Sequence, residues 1–217
     1  MGEYSAIKIF RAGCLGLILA IGFQGCGRKA PEQPAPVEDT LLQDRSERDR
    51  LFKSGQDSPL PPAQKAQFKG LEYFPPNPVL QFRVRLNRFP TPQMVRIGTN
   101  TGEIRSGLRY GYFDFEVDGK ACRLQVYRLD DVPAQAGAPY LFVPFRDTTT
   151  GVESYAAGRY IDLRENTSGI YDLDFNRAYN PSCAYAERFS CPVPPEENRL
   201  AVPIRAGERS YSQAAQH

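Results

Sequence analysis

Polarity along the chain changes character in blocks. Residues 1–11 include Lys8 and Arg11, residues 12–23 are apolar and uncharged, and residues 28–40 hold three prolines and no packing pattern. A basic start followed by an uncharged run of 12 residues is the layout of a signal peptide, residues 1–25. The run falls short of the roughly 20 apolar residues that a spanning helix needs. Residues 26–40 read as an extended, Pro-rich tether.

Beyond the tether the pattern predicts a single mostly-β domain over 41–209, followed by a disordered, polar tail over 210–217. Residues 41–55 are dense in helix formers, with Thr40 as N-cap, Gly55 as stop, and a thin stripe of Leu41, Leu42, Leu51 and Phe52. Ser58-Pro59 predicts the start of a second short helix that ends by Gly70. From there the period drops to two. Leu80, Phe82, Val84 and Leu86 alternate with Gln81, Arg83 and Arg85, so one strand face is buried. Phe113, Phe115 and Val117 alternate into Asp118-Gly119, which favours a two-residue type I′ turn. That turn sets Val117 opposite Lys120, Phe115 opposite Cys122 and Phe113 opposite Leu124, and predicts a buried Cys122 thiol. Further strands are predicted at 71–74, 93–98, 139–146, 152–163, 169–175 and 199–205. The unbroken apolar run Tyr140 to Phe145 predicts a central strand, and Pro203 an edge or the end of pairing. The fold class is mostly β: an antiparallel meander closing into a barrel or a two-sheet sandwich, with a short helical segment in front.

Composition narrows the chemistry. Nineteen prolines and 18 glycines among 217 residues fit a turn-rich fold. A net charge of +2 gives no electrostatic ground for nucleic-acid binding. The sole histidine is His217, in a polar terminal tail that cannot hold a catalytic base in place. Ser-His-Asp and Cys-His catalysis in cis are thereby excluded, as are His-ligated zinc sites. No metal and no cofactor are implied.

The uncharged run ends at Phe23-Gln24-Gly25-Cys26, which resembles the bacterial lipobox. The resemblance implies a diacylated Cys26 that becomes the mature N-terminus, and hence a membrane anchor. Gly27 after the anchor resembles the outer-membrane-sorted group, so the expected location is the periplasmic face of the outer membrane.

Polar residues gather among aromatics over 145–208. Asp172, Asp174 and Asn176 would open an EF-hand, but Arg177 stands where glycine is required and Cys183 where the closing glutamate belongs. On a strand these three side chains share a face, as an acid/base pair, a calcium site or, more simply, a solvated surface. Arg159 shares the face of Ile161 and Leu163 and must be paired or bind something, with Asp147 or Asp174 as a structural partner or a ligand anion in their place. Asp147 to Gly151 reads as a turn. The irregular stretch from Asn176 to Asn198 needs a pin, and Cys183 and Cys191 supply one as a disulfide in an exported chain.

The phrases RDTTTGVESYAAGRYIDL (146–163), LDFNRAYNPSCAY (173–185), CPVPPEENRL (191–200) and AGER (206–209) resemble the domain-of-unknown-function family numbered 1684, with weaker support from DSPL at 57–60 and FKGLEYF at 68–74. The resemblance implies no activity. The family also includes chains without export signals, which keeps a thiol or metal role open for the cysteine pair. The expected function is a binding module for a small anionic ligand or an envelope protein partner. Its candidate residues are Asp147, Tyr155, Arg159, Tyr160, Asp174, Asn176, Tyr179 and Asn180. A carboxylate-dependent, histidine-independent hydrolase and a structural envelope protein are the alternatives.

Overall fold

The computed structural model describes residues 37–132 and 139–211. The signal peptide, Cys26 and most of the expected tether lie outside the described residues, as does the tail from 212.

The described residues open with helix α1, Val37–Ser54, which begins ahead of the expected Thr40 cap. The last tether proline is Pro36, so nothing breaks the helix after it, and Asp39 complements the helix N-terminus. It ends beside Gly55, whose N–H donates to the Leu51 carbonyl at 2.8 Å. Ser58 does not start the second helix. Its hydroxyl donates to the Phe52 carbonyl at 2.5 Å and so folds the chain back on α1, while α2, Pro62–Gln67, begins at a proline four residues later.

Strands β1 (Gln81–Arg85), β2 (Asn87–Gly98), β3 (Ile104–Val117), β4 (Lys120–Leu129), β5 (Tyr140–Phe145), β6 (Arg159–Arg164) and β7 (Ile170–Asp174) follow. Strands β2 to β6 form an antiparallel five-stranded meander, and β1 pairs with β7 in a second, two-stranded sheet. The sheets do not close on each other as a barrel. Their facing sides share one core: Phe113, Leu124, Leu141, Val143, Phe145 and Ile161 from the meander against Tyr171, Leu173 and Phe175. The arrangement is a two-sheet sandwich.

The β3–β4 hairpin keeps the expected register, Val117 with Lys120, Phe115 with Cys122 and Phe113 with Leu124. Asp118 (φ 50°) and Gly119 (φ 76°) take the two positive angles that a type I′ turn requires. Cys122 faces the core side but is only half-buried. The strands that cover this end, β1 and β7, are five residues each, and Phe115 beside it is half-buried too. β5 lies between β4 and β6, as its apolar run predicts.

The strands expected at 71–74 and 199–205 are absent as such. Tyr73 makes one bridge to Glu208, and Pro203, which has no N–H, lies in a stretch that pairs only through scattered bonds such as Thr148 N–H to the Val202 carbonyl. β6 starts at Arg159 rather than 152, because Thr149 to Ser154 closes on itself as a turn. The tail starts later than residue 210: Tyr211 is buried against Tyr185, ring centroids 5.1 Å apart.

One seam needs help. β4 and β5 pair only at Tyr127 and Phe142, and Pro144 has no N–H to give. The fully buried amide of Asn198 fills the gap. It accepts from Gln125 N–H at 2.7 Å and donates to the carbonyls of Gln125 (3.0 Å) and Pro144 (2.6 Å).

Candidate functional site

The eight candidate residues do not form one cluster. Arg159 and Asp147 are both fully enclosed. The Arg159 guanidinium donates to Asp147 Oδ2 at 2.8 Å, to the carbonyls of Ile204 (2.7 Å) and Glu208 (3.1 Å), and to that of Ala206. It packs over the Phe145 ring at 5.1 Å. Burial pushes its pKa down, and Asp147 opposes that shift. Asp147 also accepts the Thr149 N–H at 2.6 Å, so it caps its turn and balances the arginine at once. Of the readings open for Arg159, the geometry is that of a structural ion pair with no surface left for a ligand.

Asp174 and Asn176 do local work as well. Asp174 Oδ1 accepts the Asn176 N–H and amide at 2.9 Å each, and Asn176 clamps Asn77 through 2.7 and 2.9 Å bonds to its backbone. Tyr160 and Tyr179 pair backbone to backbone, and the Tyr179 hydroxyl donates to Asp162 at 2.7 Å. Tyr155 donates to the Cys183 sulfur at 3.7 Å. Cys183 and Cys191 are neighbouring free thiols and not a disulfide. Among the described residues no set of three His, Cys, Asp or Glu side chains is placed to hold a metal ion.

Tyr179 and Asn180 belong to a different assembly, built around residues that sequence reasoning missed. The buried face of α1 carries Leu41, Arg45, Arg48 and Phe52 at spacings of four, three and four, so two arginines sit on an apolar stripe. That spacing is a signal in the sequence: an arginine between core positions needs a partner. Arg48 finds Glu208, 160 residues away, at 2.5 Å. Glu208 is 1% exposed, and its other oxygen accepts the Asn180 N–H at 2.9 Å and the Tyr185 hydroxyl at 2.5 Å. The approach is possible because Gly207 takes φ +77°, where a Cβ would fall 2.5 Å from the Ala178 carbonyl oxygen. Burial works against the charge on Arg48, but Glu208, Tyr185 and Tyr73 outweigh it and hold the guanidinium above its ordinary pKa.

Arg48 is one-third exposed and lines two cavities. The larger, about 360 Å³, runs between the C-terminal half of α1 and the stretch 179–185. Leu51, Phe52, Tyr179 and Tyr185 give it aromatic and aliphatic walls, while Arg48 and Asn180 supply polar groups. The Arg48 guanidinium lies 5.0 Å from the ring centroids of both Phe52 and Tyr179. The Asn180 amide nitrogen is fixed on the Arg209 carbonyl at 2.8 Å, and its oxygen is buried without a partner. The smaller cavity, about 120 Å³, adjoins Arg45, Tyr73 and Glu208.

The fold and this groove define a small antiparallel β sandwich with a helix laid across a buried carboxylate. Residues 66–209 match the family described as a protein of unknown function (DUF1684), and the chain belongs to that family. α1 and Arg48 lie ahead of the matched span, whereas Tyr179, Asn180, Tyr185 and Glu208 lie within it. The chain is also similar to an uncharacterized protein from Haloarcula marismortui, solved in solution by NMR. The two are 38% identical over 83% of this chain and 96% of that one, with a TM-score of 0.62. No curated protein matches the chain.

Proposed function

We propose that the chain is an envelope lipoprotein, anchored through diacylated Cys26 at the periplasmic face of the outer membrane, whose β domain holds a small anionic ligand in the groove between α1 and residues 179–185. Arg48 carries this reading. Guanidinium has five N–H donors, and the bond to Glu208 uses the one on Nε. Glu208 divides its charge among Arg48, Asn180 and Tyr185, so Arg48 keeps capacity for a second anion on its open side. A volume of about 360 Å³ with aromatic walls suits a small organic acid. In an oxidising envelope the adjacent Cys183 and Cys191 would close as the expected disulfide.

The hydrolase alternative fits less well. A general base needs a carboxylate oxygen that is free to take a proton, and both oxygens of Glu208 are occupied.

The test is calorimetric titration of the purified protein with hexanoate and with inorganic phosphate, alongside native mass spectrometry for a retained small acid. Wild-type protein should bind one of these saturably, and Arg48→Gln should lose roughly tenfold or more in affinity with its circular dichroism unchanged. No saturable binding and no retained mass would leave the structural envelope role. Palmitate labelling that persists in Cys26→Ala would sink the anchor.

A further inference from the structure

Residues 182–193 leave the sandwich and return to it, and each leg is fixed. The outer leg is tied to the β2–β3 turn: Cys191 N–H donates to Asn100 Oδ1 at 2.6 Å, Asn100 N–H to the Cys191 carbonyl at 3.1 Å, and Val193 N–H to the Gly98 carbonyl at 2.8 Å. The inner leg is a single 3-10 turn, Ser182–Ala184. Between them the Cys183 N–H donates to the Cys191 sulfur at 3.3 Å. The Tyr155 hydroxyl covers the Cys183 sulfur, and Arg105 reaches the Ser190 carbonyl at 3.0 Å.

We propose that Cys183 and Cys191 are a redox-active dithiol that hydrogen peroxide closes reversibly to a disulfide, with Cys191 as the sulfur that is first oxidised and Cys183 as the one that resolves it. Access selects the oxidant. Cys191 is 8% exposed, which admits a small peroxide and hinders a bulky protein disulfide. The proposal is independent of the Arg48 groove.

The surroundings assign the roles. The Cys183 N–H points at the Cys191 sulfur from 3.3 Å, a bond that favours a thiolate there; the pairing with Cys183 pushes the Cys191 pKa down to about 7, burial opposes this, and Arg105 adds to it. Pairing with Cys191, and then burial, push the Cys183 thiol up. Near neutral pH the thiolate is at Cys191, and the thiolate is the nucleophile. Its sulfur attacks one peroxide oxygen and the O–O bond breaks. The departing hydroxide takes a proton to become water, leaving Cys191 as a sulfenic acid. Cys183 then attacks that sulfur, the S–O bond breaks, and the hydroxyl leaves as a second water with the Cys183 proton. Two thiols lose two electrons, and one peroxide becomes two waters.

The experiment treats the reduced full chain with hydrogen peroxide, alkylates what remains and maps the peptides. The expected product is a Cys183–Cys191 link lighter by two hydrogens, opened by phosphine without denaturant, while Cys122 stays reduced. At pH 7 Cys191 should react roughly tenfold or more faster than Cys122, whose thiol burial pushes up. Cys183→Ser should stop at a sulfenic acid on Cys191 that dimedone traps. Cys191→Ser should leave Cys183 unmodified. Arg105→Met should slow oxidation and move the alkylation midpoint of Cys191 above about 7 without abolishing the link. Cys183 and Cys191 that both stay alkylatable while Cys122 oxidises would overturn the proposal. So would a link that phosphine cannot open in the native protein, or a sulfenic acid on Cys183 in Cys191→Ser. Should a variant fail to fold, the wild-type peptide map decides alone.

Discussion

Two arginines in this molecule each meet a carboxylate that water does not reach, yet their surroundings differ. Arg159 and Asp147 are both 0% exposed, and three backbone carbonyls share the guanidinium with the carboxylate. Arg48 meets the equally buried Glu208 while a third of its own side chain stays open beside a groove. A buried charge is tolerated only when it is balanced and nearly all its hydrogen bonds are made. In the first pair the protein makes them on both sides, all but the one at Arg159 Nε. In the second it completes them for the carboxylate alone. Burial of the acid therefore does not decide the role of the base. The open edge of the arginine does.

The largest effect that tests this contrast is Arg159→Met. It leaves Asp147 enclosed with no counter-charge, and the domain should lose about 3–5 kcal/mol in urea unfolding. Adding Asp147→Asn should recover part of that loss. A cost under about 1 kcal/mol would place Arg159 with surface pairs and erase its difference from Arg48. Arg48→Met should cost less, about 1–3 kcal/mol, because Glu208 keeps its bonds from Asn180 and Tyr185. Its main effect should be on ligand affinity, and calorimetry on the same variant separates the two. Tyr185→Phe removes one donor from Glu208 and should cost about 0.5–1.5 kcal/mol in the same unfolding assay. Salt should give the smallest difference. In 1 M sodium chloride the cost of Arg48→Met should shrink by about a few tenths of a kcal/mol, because screening reaches the exposed edge, while the cost of Arg159→Met stays put.

What could be read from the sequence was local. The hairpin register follows from Asp118-Gly119 and from alternation on either side, and both lie within a few residues of the bonds they set. The cysteine pair was legible as neighbours for the same reason, being eight residues apart. The inward face of Arg159 was legible from the period of β6, but Asp147 as its partner was one option of two, because periodicity orients a side chain without saying what arrives opposite. Arg48 and Glu208 are 160 residues apart, and only the stripe from Leu41 to Phe52 hinted at them. The missing strands at 71–74 and 199–205 have a shared cause. Both segments are extended, as strands are, but side chains take up part of their bonding: Asp49 and Arg45 of α1 for 71–74, and Arg159 and Asp147 for 199–205. Asn198 is the converse case, a polar residue in a loop that completes a sheet seam by long-range bonds.

The reach of Arg159 also bears on the order in which the protein can be made. The carbonyls of Ile204 and Glu208 that receive its guanidinium lie 45 and 49 residues further along the chain. While the ribosome is still adding those residues, Arg159 has no such partners, and the apolar face of β6 cannot close over an arginine whose donors are unmet. The sandwich core therefore waits for residues 204–208, however early its hairpin forms. A chain cut short before residue 208 therefore lacks a closed core.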